Sequence, residues 1–121
     1  MRYGSALAET VINGRKCVIR VGVSVERTST TGSRVRLADG LAESAASAGA
    51  WSGVQFAQRR VGRDNYDIVI REITGDVDCP MAGMGAAIAA TVAAWVAYGD
   101  EWHEADLGDT SGWSLRRQAS I

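Results

Sequence analysis

The chain has 121 residues, 46% of them hydrophobic, with a net charge of −1 and a pI near 5.8. A chain of this length makes one domain and removes roughly two-thirds of its extended surface from water, so a single core is expected. The near-neutral balance gives no global drive toward nucleic acid or anionic lipid, and twelve arginines beside one lysine, Lys16, favour anion contacts over lysine acid–base or Schiff-base chemistry.

The first element signal is Asn13-Gly14, between "ALAETVI" and "RKCVIRVGVSVER". Asn-Gly accepts the positive φ values of a type I′ turn, which predicts a hairpin. In its second strand Cys17, Ile19, Val21, Val23 and Val25 alternate with Val18, Arg20, Gly22, Ser24 and Glu26, placing one apolar row on a core and the other toward water. A polar stretch leads to "RVRLADG", a short third strand with Val35 and Leu37 on one side.

From Leu41 to about Arg60 the sequence predicts a helix, with Leu41, Ala45, Ala48, Trp51 and Phe56 near helical spacing. Gly49 and Gly53 each weaken it by about 1 kcal/mol unless close packing requires them. "DNYDIVIREI" reads as a fourth strand. The stretch "DVDCPMAGMGAAI" then opens a second helix, expected over Cys79 to Tyr98, with Asp78 as N-cap, Pro80 in the first turn and Gly99 as the stop. Its small residues Gly83, Ala87, Ala90 and Ala94 let its backbone approach a sheet or another helix closely. The run is uncharged, but Ala and Gly contribute little to membrane insertion, so a buried helix of a soluble domain is expected rather than a span. Residues 1–99 thus form an α+β core of four or more mostly antiparallel strands with two helices on one face. Residues 100–121 are read as a tail or extra hairpin, through "GDTSG", docked on the core or on a partner.

This order of elements resembles the superfamily with a left-handed βαβ crossover that includes Lon-type protease domains, GHMP small-molecule kinases, domain four of elongation factor G and the N-terminal domain of magnesium-chelatase-related competence ATPases. The resemblance covers roughly residues 6–99. In the Lon-type pattern Asp-Gly-Pro-Ser-Ala-Gly, this chain matches at Asp78, Pro80, Ala82 and Gly83, while Cys79 stands for the first glycine and Met81 for the nucleophilic serine. A thioether cannot be deprotonated to attack a carbonyl, and no lysine follows residue 16 to act as the base, so the alignment implies that Ser-Lys proteolysis is absent. "CPMAGMGAA" is also similar to the GHMP phosphate loop, with Gly83, Gly85, Ala86 and Ala87 in place and both serines missing.

Three functions follow as expectations. The first is a small non-enzymatic module working through protein–protein contact or self-association, with Trp102 and Trp113 as interface anchors, because indoles in a polar tail need something to cover them. The second is an anion or small-ligand site on the loop 78–85, using Asp78, Cys79, Met81, Gly83 and Gly85, where helix-start N–H groups can cradle a phosphate or carboxylate. The third is nucleic-acid binding by Arg34, Arg36, Arg59, Arg60, Arg63, Arg116 and Arg117, which neighbouring carboxylates weaken. No catalytic residue, cofactor or metal site is assigned. The spacing of Cys17, Cys79 and His103 fits no zinc pattern, and Glu101, His103, Glu104 and Asp106 read as a solvated surface. Without a CxxC pair or secretory segment, the two cysteines are expected to be reduced thiols in a cytoplasmic protein.

Overall fold

The computed structural model describes residues 1–29, 32, 34–61 and 65–116. Among the described residues, five strands and two α-helices follow in the order β1 (Arg2–Ile12), β2 (Arg15–Arg27), β3 (Arg34–Leu37), α1 (Ala45–Val61), β4 (Tyr66–Gly75), α2 (Ala82–Tyr98) and β5 (Ser114–Arg116), with a 3₁₀ turn at Glu104–Leu107. The sheet order is β3-β4-β2-β1-β5. Every neighbouring pair is antiparallel except β3 and β4, which are parallel and joined through α1. The fold is therefore α+β with one βαβ crossover, as the order of elements implied.

The hairpin turns at Asn13 and Gly14, whose φ values of 51° and 77° are the left-handed pair that a type I′ turn requires. In β2 the predicted row from Cys17 to Val25 is buried, and it faces Gly4, Ala6 and Ala8 of β1 and Ile68 and Ile70 of β4 across the ladders. A bulge at Gly22/Val23 places Arg71 as the extra residue of β4. Both helices lie over this apolar face in one contiguous core.

The helix face predicted for α1 is corrected. Trp51 and Phe56 are 44% and 47% exposed, Ala45 and Ala48 are exposed and Leu41 lies before the helix, which begins at Ala45. The buried side is Ala46, Ser47, Ala50, Gly53, Val54 and Ala57. The reason is the distance between helices: a Cβ added to Gly49 would overlap the Gly83 carbonyl and sit 2.7 Å from its Cα, and one on Gly53 would overlap the Ala87 carbonyl. Only small residues fit a seam in which backbones touch. Thr91 closes it by donating from Oγ1 to the Ala87 carbonyl (2.7 Å), within 3.1 Å of the Gly53 carbonyl. On the other side Gly4 lets β1 cross α2 against Ala93 and Ala97, so the tight packing expected of α2 is what the structure uses its small residues for.

Residues 100–116 are tied to this core. Trp102 stacks on the fully buried Trp95 at 6.4 Å between ring centroids, and the Arg60 guanidinium lies 4.4 Å from the Trp95 ring centre. Arg60 also donates to the Glu101 carbonyl (2.6 Å) and to Asp106 (3.1 Å), and pairs with Asp100 at 3.6 Å. Among the described residues of the tail, β5 adds to β1, with Ser114 opposite Glu9 and Arg116 opposite Leu7.

Asp106 receives the His103 backbone N–H at 2.7 Å, and this bond, aided by Arg60, holds its carboxyl below the usual carboxylate range. A carboxyl lowered on folding contributes stability above the unfolded carboxylate pKa and loses it as the pH falls through the folded value. The Tm difference between the wild type and Asp106→Asn is therefore expected at neutral pH and should vanish under acid conditions, as measured by thermal melts across pH 2 to 7. A difference that persists unchanged at the acid end would show that Asp106 does not act through its charge.

Candidate functional site

The stretch singled out by sequence forms the junction of β4 with α2, and it is built differently from a helix with a polar cap. After Gly75 the chain turns back on β2, where the Asp76 N–H donates to the Val18 carbonyl and Asp76 Oδ2 accepts the Val18 N–H, both at 2.8 Å. Three tight turns follow, Val77 N–H to Gly75 O, Cys79 N–H to Asp76 O and Ala82 N–H to Cys79 O. They use up the residues expected in the first helical turn, so α2 begins at Ala82 rather than Cys79. Asp78 is not the N-cap. That position belongs to Met81, with φ 62° and no side-chain capping bond, while the exposed Asp78 faces a cleft. The working carboxylate is Asp76, which sequence reasoning passed over because Asp76 and Asp78 are equally placed in "DVD".

The two glycines have structural tasks. Gly83 faces α1, where a Cβ would lie 3.0 Å from the Ala45 carbonyl oxygen, and Gly85 lies under the Trp113 ring, where a Cβ would come within 2.6 Å of two ring carbons. The stop at Gly99 is as expected, with φ 73° and the Gly99 and Asp100 N–H groups capping the Val96 and Trp95 carbonyls.

Two clefts flank the junction. One of about 510 Å³ is lined by Asn13, Arg15, Cys17, Asp76, Asp78 and Cys79, among others. The other, about 720 Å³, is lined by Thr10, Lys16, Met81, Ser111, Trp113 and Ser114 with neighbours. Lys16, which by sequence alone lay far from the loop, thus shares a cleft with Met81, the residue standing where the Lon-type pattern has its nucleophile. Met81 is 53% exposed there and has no group to ionise. Lys16 is paired with Glu9 at 3.3 Å.

Cys17 and Cys79 converge in the first cleft. Burial pushes the Cys79 thiol up from its ordinary value, with interaction with the Cys17 thiol next and the Asp76 carboxylate adding to it. A thiol so raised is protonated at neutral pH, the opposite of the lowered pKa that activates nucleophilic cysteines. His103 lies past the far end of α2, a separation of roughly 25 Å at 1.5 Å per helical residue, and it cannot serve either cysteine. Among the described residues no three His, Cys, Asp or Glu side chains are grouped to hold a metal ion, and no helix is long and apolar enough to cross a membrane.

The two candidate anchors are placed on the domain itself. Trp113 is 2% exposed in the core and Trp102 is half-buried on Trp95. Of the candidate nucleic-acid residues, Arg36 pairs with Asp67 and Arg60 with Asp100 and Asp106, while Arg63 and Arg117 lie outside the described residues.

No family model and no curated protein matches the sequence. Solved structures do match in shape. A homoserine kinase from Cytophaga hutchinsonii superposes over 88% of this chain and 39% of its own, with a TM-score of 0.53 at 14% identity. A mevalonate kinase gives 0.53 over 88% of this chain and 44% of its own at 9% identity, and a protein from Thermus thermophilus gives 0.54 over 77% and 15% at 18%. The likeness is one of fold. It joins the chain to the architecture of the GHMP kinases that the order of elements resembled, and the chain spans less than half the length of each of these proteins.

Proposed function

We propose that this domain is a non-catalytic interaction module that associates with a second copy of itself through the outward face of its sheet. The observation that carries the reading is the sheet face opposite the helices, which no described element covers. It presents Tyr3 and Val11, each 68% exposed, and a cleft of about 560 Å³ whose lining includes Tyr3, Ser5, Arg20, Gly22, Arg71 and Glu72. Gly22 leaves the floor of this cleft low, and Arg71 is held over it by donating to Ser24 Oγ at 2.8 Å. An aromatic ring beside arginines is the composition that interface centres favour. Both signs of charge occur on this one face, with Glu72 beside Arg20 and Arg71, so a two-fold pairing can set each copy's arginines against the other's carboxylate. The helix junction supports the same reading, since its glycines fill packing roles and its nucleophile position holds Met81.

Sedimentation equilibrium tests it: the wild type should be dimeric, and Tyr3→Glu should be monomeric yet still unfold cooperatively, with a Tm no longer dependent on concentration, because Tyr3 stands outside the core. A wild type that stays monomeric at its highest soluble concentration would remove the reading. Trp102→Ala and Trp113→Ala, the substitutions suggested by sequence, are poor probes because both side chains pack on their own domain.

A second reading rests on Lys16. The chain's single lysine lines the cleft beside Met81 with the hydroxyls of Thr10, Ser111 and Ser114, at the start of a 17-residue helix whose dipole favours anions. Pyrophosphate or sulfate should raise the Tm of the wild type and not of Lys16→Met. Equal shifts in both proteins would count against the cleft.

A further inference from the structure

We propose that Cys17 and Cys79 form an oxidisable dithiol, a site at which a disulfide-bearing or peroxide oxidant closes a bond between β2 and the junction leading into α2. The two residues are 62 positions apart, and three features of the fold bring them together. Ile19 and Gly75 are ladder partners, the Asp76 backbone and carboxylate grip both polar groups of Val18, and the turn from Asp76 to Cys79 then returns the chain across β2. Cys17 and Cys79 both line one cleft, at the point where the junction passes over the start of β2. Cys17 is 2% exposed and points from the buried row of β2, whereas Cys79 is half-buried at the surface end of the pair. This asymmetry assigns the steps.

With oxidised glutathione as the oxidant, the Cys79 thiolate attacks one glutathione sulfur, forming a mixed disulfide and releasing one glutathione thiolate. The Cys17 thiolate then attacks Cys79 Sγ, the Cys17–Cys79 bond forms, and the second glutathione leaves as thiolate. The two thiol protons end on the two glutathiones, and the protein has lost two electrons. With hydrogen peroxide the same two-electron change passes through a sulfenic acid at Cys79, releasing one water there and one when Cys17 displaces the sulfenyl oxygen.

The surroundings govern the rate. Asp76 and Asp78 on the junction, Arg15 on β2 and the Cys17 thiol are the charged or titratable groups lining the cleft around Cys79. Burial, the second thiol and the Asp76 carboxylate disfavour the thiolate, so attack is slow at neutral pH and speeds as the pH rises. The bond closes a loop of over sixty residues, long enough for the unfolded chain to lose much of its freedom.

The test incubates the folded protein with oxidised glutathione at pH 8.5, blocks remaining thiols with iodoacetamide and maps the unreduced peptides by mass spectrometry. The expected result is one cross-linked peptide pair joining Cys17 to Cys79 in a monomer, reversal by dithiothreitol, and a Tm raised by about 10 °C. Cys79→Ser should leave Cys17 unmodified under the same conditions, and Cys17→Ser should accumulate the mixed disulfide on Cys79. Glutathione retained on Cys79 of the wild type without a cross-link, a disulfide between chains, or a cross-link that appears only in denaturant would each overturn the proposal. Because it does not use the outer sheet face, the result is independent of whether the protein dimerises.

Discussion

Gly53→Ala is expected to destabilise the protein by about 3 kcal/mol or more, although a Gly→Ala change inside a helix normally gains about 1 kcal/mol. The sign is decided by what the new methyl group meets. At Gly53 it is the Ala87 backbone carbonyl, carbonyl carbon and Cα, the last two at 2.9 Å, and a helix backbone cannot move aside as a side-chain tip can. Either α1 lifts from α2, exposing the seam from Ala46 to Ala57, or the carbonyls distort and the Thr91 contact is lost. Gly49→Ala should behave alike against Gly83, and Ser52→Ala, on the exposed side of the same helix, should be neutral or slightly stabilising. Urea unfolding of the three variants is the measurement. Equal stability of Gly53→Ala and Ser52→Ala would show that the helices are not in backbone contact.

Trp113→Ala should cost about 3–5 kcal/mol, the range for removing a large buried aromatic side chain. Its ring fills the space above Gly85, and β5 has only three residues paired with β1 to hold it otherwise. The substitution should therefore also remove amide-exchange protection from residues 114–116 while leaving β2 and β4 protected. Its indole Nε1 has no hydrogen-bond partner among the described residues, so the loss is one of packing. Trp113→Phe should recover most of it. If Trp113→Ala melts like the wild type, β5 and its tryptophan are not docked as described.

Both experiments concern contacts that the sequence hinted at without assigning. Gly49 and Gly53 were visible as blemishes in a helix, and Gly83 and Ala87 as a small-residue row in another, but nothing in either segment says that the two rows meet. Sequence reasoning set Trp51 and Phe56 in the row of residues at helical spacing that marked the first helix. Here the seam is too narrow for them, so they flank it: Trp51 donates to the Val35 carbonyl (3.2 Å), and Phe56 leans on Trp95 at 6.3 Å. The junction into α2 was misread for a related reason. "DVDCP" offers a cap and a proline in the right order for a helix start, yet the hydrogen bonds of Asp76 to Val18 pull the chain through three turns first.

The candidate site was legible as a location and not as an arrangement. Met81 could be recognised as chemically inert from its side chain alone. Lys16 and Cys17, by contrast, reach the junction only because the hairpin pairs β2 with β4, so sequence distance concealed both clefts.

By itself the sequence determined the elements that depend on near neighbours. The Asn13-Gly14 turn, the alternation of β2, the stop at Gly99 and the order of strands and helices follow from positive φ, a period of two and capping, all of which act within a few residues. The tertiary structure alone decided which surfaces meet. Which helix face is buried, where Trp113 comes to rest, that Lys16 stands beside Met81 and that two distant cysteines share a cleft are set by long-range sheet pairing and by how closely two backbones can pack, and no local pattern encodes either.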